Sequence, residues 1–198
     1  SGSINLRGGR IDDLLLTAYP QTIDKNSPPV RLFTPSGAAG AYFSQFGWTG
    51  ADAPGPDTLW TASANKLTPT TPVTLSWSNT TGQTFRIEYS IDADYLITAK
   101  QTIANSGAAP VSASSFALID RLGKPTDPHE QDSWTIHVGP TGYLGGKSVF
   151  DVNYTDLDDG TAAKYDSAGW LGFTDKYWLA AVVPAKGERV SASITSPA

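Results

Sequence analysis

The chain has two histidines, His129 and His137, and no cysteine, so few side chains are suited to catalysis. No third ligand stands at metal-binding spacing around either histidine. Acid–base work on a sugar would need a carboxylate partner, for which Glu88, Glu130 and Glu188 are the candidates. No spacing favours any of these pairs. The sequence therefore predicts no catalytic residues, no metal site and no cofactor, with both histidines structural or exposed to solvent.

A carboxylate cluster at residues 156–160 (DLDDG) resembles the start of a calcium-binding loop, because hard cations take several oxygen ligands. Counted from Asp156, position 12 of such a loop is Ser167, where a bidentate glutamate is needed. The cluster is therefore predicted to be a solvated turn. The spacing of a serine–histidine nucleophile motif is also missing, and so is a glycine-rich phosphate loop.

Aromatic residues could form a carbohydrate-stacking cleft, since the chain has six Trp, eight Tyr and seven Phe. Trp48 and Trp60 flank the loop at residues 50–57 and are the candidate residues for such a cleft. Aromatic side chains also fill sheet interiors, and that is the interpretation we favour for these two tryptophans.

The composition indicates turn-rich β structure in a chain of 198 residues. Charged residues make up 17%, against a typical value of about 25%, while 19 Gly and 14 Pro supply turns. The net charge of −5 and the lack of any Lys/Arg cluster argue against a nucleic-acid partner. No run approaches the about 20 apolar residues of a membrane span, and the missing Met suggests an excised piece, so we expect a soluble domain.

Short alternating apolar segments predict a large antiparallel β sandwich of more than ten strands. Residues 84–91 alternate apolar and polar side chains and should pair with residues 95–103 through the turn at 92–94. Residues 17–29 carry three prolines and are predicted to be irregular. The other candidate strands are 4–6, 14–16, 30–34, 41–48, 59–63, 73–78, 111–119, 134–138, 149–154 and 189–194.

The segment at residues 168–184 (AGWLGFTDKYWLAAVVP) predicts a hairpin that is apolar on both faces. Trp170 and Gly172 should face one way, while Leu171 and Phe173 face the other. These strands are therefore predicted to be covered on both sides or to bridge two sheets.

Several stretches, taken in order, resemble the large periplasmic domain of the YidC family of bacterial membrane protein insertases. The likeness covers nearly the whole chain. The stretches are INLRGGRI (4–11), LLL (14–16) with YP (19–20), GWTG (47–50), 85–107 before Pro110, HVGP (137–140), YTDL (154–157), GW (169–170) and KYWLAAVVP (176–184).

The resemblance implies an all-β, predominantly antiparallel fold, a twisted β-supersandwich similar to galactose mutarotase. It implies one domain over residues 1–198, truncated at its C-terminal end because family domains continue for several dozen residues past the match to Pro184. The domain would lie on the periplasmic side of the inner membrane, anchored by transmembrane helices outside this chain.

The implied role is a non-catalytic interaction or positioning module for Sec translocon accessory subunits and nascent membrane proteins. The alternative is a module of the same fold that binds carbohydrate or an elongated ligand, or a mutarotase-like enzyme. Partner contacts are expected between residues 134 and 184. The candidate contact residues there are Trp134, His137, Tyr143, Trp170, Phe173, Lys176 and Tyr177.

Overall fold

The computed structural model describes residues 1–24, 26–124, 137–152, 154–157, 160 and 162–196. Their regular structure is antiparallel β strand apart from one 3₁₀ turn at Tyr154–Leu157. No helix among the described residues is long and apolar enough to cross a membrane. The strands are β1 Gly2–Asn5, β2 Arg10–Pro20, β3 Pro29–Phe33, β4 Tyr42–Thr49, β5 Thr61–Ala62, β6 Val73–Ser78, β7 Gln83–Ile91, β8 Ile97–Asn105, β9 Ser114–Arg121, β10 Gly139–Leu144, β11 Lys147–Val149, β12 Ala162–Tyr165, β13 Ala168–Thr174, β14 Leu179–Val182 and β15 Ala192–Thr195.

The chain divides into two compact units, the first comprising Ser1–Gly37 and Phe43–Leu118, the second Ala38–Tyr42 and Ile119–Ala198. The first unit is a sandwich of two sheets, one ordered β1-β2-β4-β9 with β3 paired to β2, the other ordered β5-β6-β7-β8. Aromatic rings join the two sheets, because Phe46 lies edge-on to Tyr89 and Trp48 edge-on to Phe85, with ring centroids 6.0 and 5.2 Å apart.

The alternation along β7 places its apolar side chains in this core, as the sequence predicts. Phe85, Ile87 and Tyr89 are fully buried, while Arg86 and Glu88 are exposed. β7 pairs with β8 over nine consecutive residues without a bulge. In the connecting turn, the Asp92 carboxylate accepts bonds from the backbone N–H groups of Asp94 and Leu96, at 2.7 and 2.9 Å. The predicted hairpin is confirmed.

Several strand residues were not predicted because glycine and proline are typical of turns. β2 continues to Pro20, where irregular structure was predicted from residue 17, and Pro20 pairs with Pro29 at the end of the ladder. β10 (GPTGYL) was not predicted at all. Its Pro140 pairs with β13 and lies outside the residues that pair with β11, so its missing N–H breaks no ladder on that side.

The second unit contains a sheet ordered β11-β10-β13-β14 and the strand pair β12-β15. Of this pair, only β15 overlaps a predicted strand, the one at 189–194. Its core is the buried cluster Leu144, Val149, Leu157 and Ile194. The predicted strand at 149–154 is wrong beyond Val149, because β11 ends there and a 3₁₀ turn begins at Tyr154. Most of the strand predicted at 134–138 lies outside the described residues.

The apolar hairpin forms as predicted, with Leu171 opposite Val182 and Phe173 opposite Ala180. The expectation that both faces are covered does not hold for the described residues. β14 is the edge of its sheet, and Leu179 and Val183 are exposed.

Candidate functional site

An exposed apolar surface lies on one face of strands β10, β13 and β14. Tyr143 pairs directly with Trp170, so both side chains are on this face. Leu179 pairs with Thr174, and alternation places Val183, the residue directly after β14, on the same side. Tyr143, Leu179 and Val183 expose 46%, 49% and 69% of their surface, while Trp170 is half-buried. We call these four residues the Tyr143 surface.

An open strand edge borders the Tyr143 surface. The N–H of Asp175 donates to the carbonyl of Trp178 at 2.8 Å, which makes this a hydrogen-bonded pair. Because such pairs alternate along an antiparallel ladder, Ala180 and Val182 bond to β13, while the backbone groups of Leu179 and Ala181 point away from it. Among the described residues, no backbone group pairs with this outer side of β14, so a partner could contact both apolar side chains and backbone groups here.

The predicted residue Phe173 lies on the opposite face of β13. Its ring stacks on Tyr154 with centroids 6.1 Å apart and meets Tyr42 edge-on at 6.2 Å. Phe173 therefore belongs to an aromatic cluster that packs behind the Tyr143 surface.

Arg121 is the charged centre of this aromatic cluster. Its guanidinium donates to the Asp175 carboxylate at 2.5 Å and to the Tyr154 hydroxyl at 3.1 Å. It also lies over the Tyr42 ring, 4.6 Å from the centroid. Burial alone would lower the pKa of Arg121, but the hydrogen bond and charge of Asp175 outweigh it and raise that pKa. Arg121 and Asp175 both belong to the second unit, where this ion pair holds the β13–β14 turn against residues 119–121.

The remaining predicted contact residues lie around the hairpin turn and the start of β10. His137 donates from Nε2 to the Pro140 carbonyl at 3.0 Å, and its ring meets Phe150 edge-on. Lys176 places its ammonium 5.3 Å from the centroid of the Tyr177 ring, which is exposed. Trp134 and His129 lie outside the described residues.

Leu179 and Val183 were not predicted as contact residues. The available signal was the continuous apolar run that ends at Pro184, but the exposure of these two side chains depends on tertiary packing.

The candidate cleft residues Trp48 and Trp60 are interior residues that also line a pocket of about 360 Å³ in the first unit. They are only 5% and 3% exposed, and their ring centroids lie 6.4 Å apart. The indole N–H of Trp60 has no hydrogen-bond partner among the described residues. Half-buried Phe46 and Phe116 and buried Pro54 supply other walls. A sugar stacks on an aromatic ring only where a face of the ring is accessible, and little of either tryptophan ring is exposed.

The described residues contain no group of three acidic or histidine side chains placed to hold a metal ion. Asp156 is exposed on the 3₁₀ turn, and Asp158 and Asp159 lie outside the described residues. The predicted solvated turn therefore stays a prediction.

Two buried tyrosines predict a loss of stability in alkali. Burial raises the pKa of Tyr89, whose hydroxyl donates to the Gly9 carbonyl at 3.1 Å, and burial also raises that of Tyr42. Above pH 10, where an unfolded tyrosine loses its proton, the folded state still holds these protons. The free energy of unfolding should therefore fall as pH rises above 10, by up to about 1.4 kcal/mol per pH unit for each tyrosine.

Urea unfolding at pH 9 to 11.5 measures this slope, with Tyr89→Phe as the matched variant. The variant should lose one tyrosine's share of the slope, although its stability at pH 7 also falls because the bond to Gly9 is gone. An unchanged slope in Tyr89→Phe would contradict the assignment.

The chain is similar to known periplasmic domains over its whole length. A family model described as YidC periplasmic domain matches residues 1–197. A protein named membrane protein insertase YidC from Zymomonas mobilis is 42% identical over 92% of this chain and 32% of its own length. Proteins of the same name from Rhizobium meliloti and Nitrobacter hamburgensis are 44% and 42% identical over 93% and 99% of this chain. The chain spans about a third of the length of these relatives.

Proposed function

Because the chain belongs to the YidC periplasmic domain family, we propose that it is the periplasmic module of a membrane protein insertase and serves there as a non-catalytic interaction surface. In this proposal the domain stands on the periplasmic side of the inner membrane, held by transmembrane helices outside this chain. Its partners are accessory subunits of the Sec translocon and nascent membrane proteins, reached through the full-length protein.

The observation that carries the proposal is the Tyr143 surface with the open edge of β14 beside it. Exposed apolar side chains that form a contiguous patch favour contact with another protein. An unpaired strand edge adds directional hydrogen bonds to that contact. The predicted contact residues Tyr143 and Trp170 belong to this surface, Lys176 and Tyr177 lie at its hairpin turn, and Phe173 supports it from behind.

Site-specific photocrosslinking in inner-membrane vesicles tests the proposal on the full-length protein. A photoreactive phenylalanine analogue at Tyr143 should capture a translocon accessory subunit or a nascent membrane protein. The same analogue at Thr70, an exposed turn residue of the first unit, is the control and should capture neither. Equal capture from both positions, or none from Tyr143, would contradict the proposal.

Acidic substitutions on the surface should abolish that capture. Leu179→Asp and Val183→Asp place charges on exposed positions, so the free energy of unfolding should change by less than about 1 kcal/mol. Crosslinking from Tyr143 that persisted in both variants would show that the apolar surface does not form the contact.

No feature of the described residues supports carbohydrate binding as the Tyr143 surface supports protein contact. The pocket beside residues 50–57 is walled mainly by apolar side chains, and the two tryptophans that could stack on a sugar are almost fully buried. We therefore propose no sugar-binding or sugar-transforming activity.

A further inference from the structure

The outer edge of β8 has no neighbouring strand among the residues that the structure describes. β8 is the last strand of the β5-β6-β7-β8 sheet, and it pairs with β7 alone. Its nine residues extend about 30 Å. Within the described part of the chain, no backbone group pairs with the other side of this strand. The edge lies in the first unit and is a different place from the Tyr143 surface.

The hydrogen-bond pattern identifies which backbone groups the edge presents. Asp92 donates to the Leu96 carbonyl and Ser106 to the Gly82 carbonyl, and both pairs continue the register of the β7–β8 ladder. Bonded pairs alternate, so the even-numbered residues of β8 bond to β7. The N–H and C=O groups of Ile97, Ala99, Gln101 and Ile103 therefore point outward.

β8 lacks most features by which proteins protect an edge strand. It contains no proline, no bulge and no charge on its inner face. Its one charged side chain, Lys100, lies on the exposed face opposite Glu88 of β7. The strand is also held in place, because the Gln101 side chain donates to the Gly47 carbonyl on β4 at 2.6 Å.

The inner face of β8 is only half covered. Ile97, Ala99, Gln101 and Ile103 are half-buried, whereas Phe85, Ile87 and Tyr89 on the same face of β7 are fully buried. A further strand beside β8 would cover them and would satisfy the outward backbone groups. Such alternating donors and acceptors are matched by an extended polypeptide backbone.

We propose that β8 binds an extended segment of another protein, which adds a fifth strand to this sheet. The segment alternates polar and apolar residues and places a carboxylate across from Lys100. The inference goes beyond the proposed function, since neither the Tyr143 surface nor β14 takes part in it.

A second copy of this chain fits the edge less well. Full antiparallel pairing of two β8 strands brings the two Lys100 side chains diagonally opposite on one face, which is unfavourable. Each copy also has a net charge of −5. A single pair of strands buries less than the about 1,000 Å² of surface that a stable dimer needs. A segment that binds only transiently requires a smaller buried area.

A labelled peptide tests the proposal on the full-length protein. The probe is a nine-residue peptide of alternating threonine and valine with a central glutamate. Its binding is measured by fluorescence anisotropy. In the bound register the valine amides face β8. N-methylation of the valines should therefore weaken binding at least about ten-fold, while N-methylation of two threonines should leave it unchanged. Amide exchange at Ala99, Gln101 and Ile103 should slow when the peptide binds.

Two variants of the chain complete the test. Ala99→Pro removes an outward N–H without breaking a bond to β7 and should weaken binding at least about ten-fold. Lys100→Glu should weaken binding of the glutamate peptide and restore it for a peptide with a central lysine, a reversal that loss of folding cannot produce. No binding at millimolar peptide, equal binding of the valine-methylated peptide, or a dimer that Ala99→Pro dissociates would each overturn the proposal.

Discussion

Arg121→Met is expected to lower the free energy of unfolding by about 3 kcal/mol. Arg121 and Asp175 form an ion pair whose side chains are 12% and 24% exposed. Removing one partner of a fully buried pair costs about 3 to 5 kcal/mol, because the other charge is left without compensation, and since this pair is only partly buried the lower end of that range applies. Methionine keeps much of the apolar contact with the Tyr42 ring, so the change reports mainly the lost charge and hydrogen bonds.

Urea unfolding of the wild type and three variants would measure this interaction. Because both partners contribute, Asp175→Leu should be destabilising as well, and the double variant should cost clearly less than the sum of the single variants. Arg31→Met is the matched control, since Arg31 pairs with Asp13 where the side chains are 43% and 31% exposed. It should change stability by less than about 1 kcal/mol. Additive effects at Arg121 and Asp175 would contradict the prediction.

Arg121 was not predicted from the sequence, and its partners explain why. Tyr42, Tyr154 and Asp175 are distant from it along the chain, and single-sequence periodicity carries no information about such contacts. Alternation along the hairpin was enough to place Trp170 and Phe173 on opposite faces, but grouping Tyr143, Trp170 and Leu179 on one face needed the register of three strands.

Alternation along a strand was the most reliable signal. β7 is apolar on one face and polar on the other, and its hairpin with β8 follows from adjacent segments and a local turn. β10 was missed because two glycines and a proline in six residues are typical of a loop. Its strand conformation depends on pairing with β13, which is a tertiary contact.

The open edges of β8 and β14 could not be predicted from composition, because an edge is defined by the absence of a neighbour. The sequence nevertheless distinguishes them. β14 and its flanks are apolar on both faces, whereas β8 alternates and carries Lys100. The two edges therefore suit different partners. The β14 edge suits a partner that buries apolar side chains, and the β8 edge suits a partner that supplies mainly backbone hydrogen bonds.

The close approach of β13 and β14 depends on Gly172. A Cβ atom added there would lie 2.2 Å from the Ala180 carbonyl oxygen and 2.8 Å from the Ala181 Cα. Both atoms belong to the backbone of the neighbouring strand, so a flexible side chain cannot make room. The strands would have to separate, which strains the hydrogen bonds that hold β14 to its sheet.

Gly172→Ala should therefore lower the free energy of unfolding by about 3 kcal/mol, as expected for overpacking against backbone. The matched control is Gly55→Ala, because a Cβ at Gly55 meets nothing within 4 Å and its φ is not positive. That control should stay within about 0.5 kcal/mol of the wild type. Equal stability of the two variants would show that β13 and β14 can separate at little cost. In that case the Tyr143 surface would be a deformable patch, and partner binding there would not require a fixed sheet.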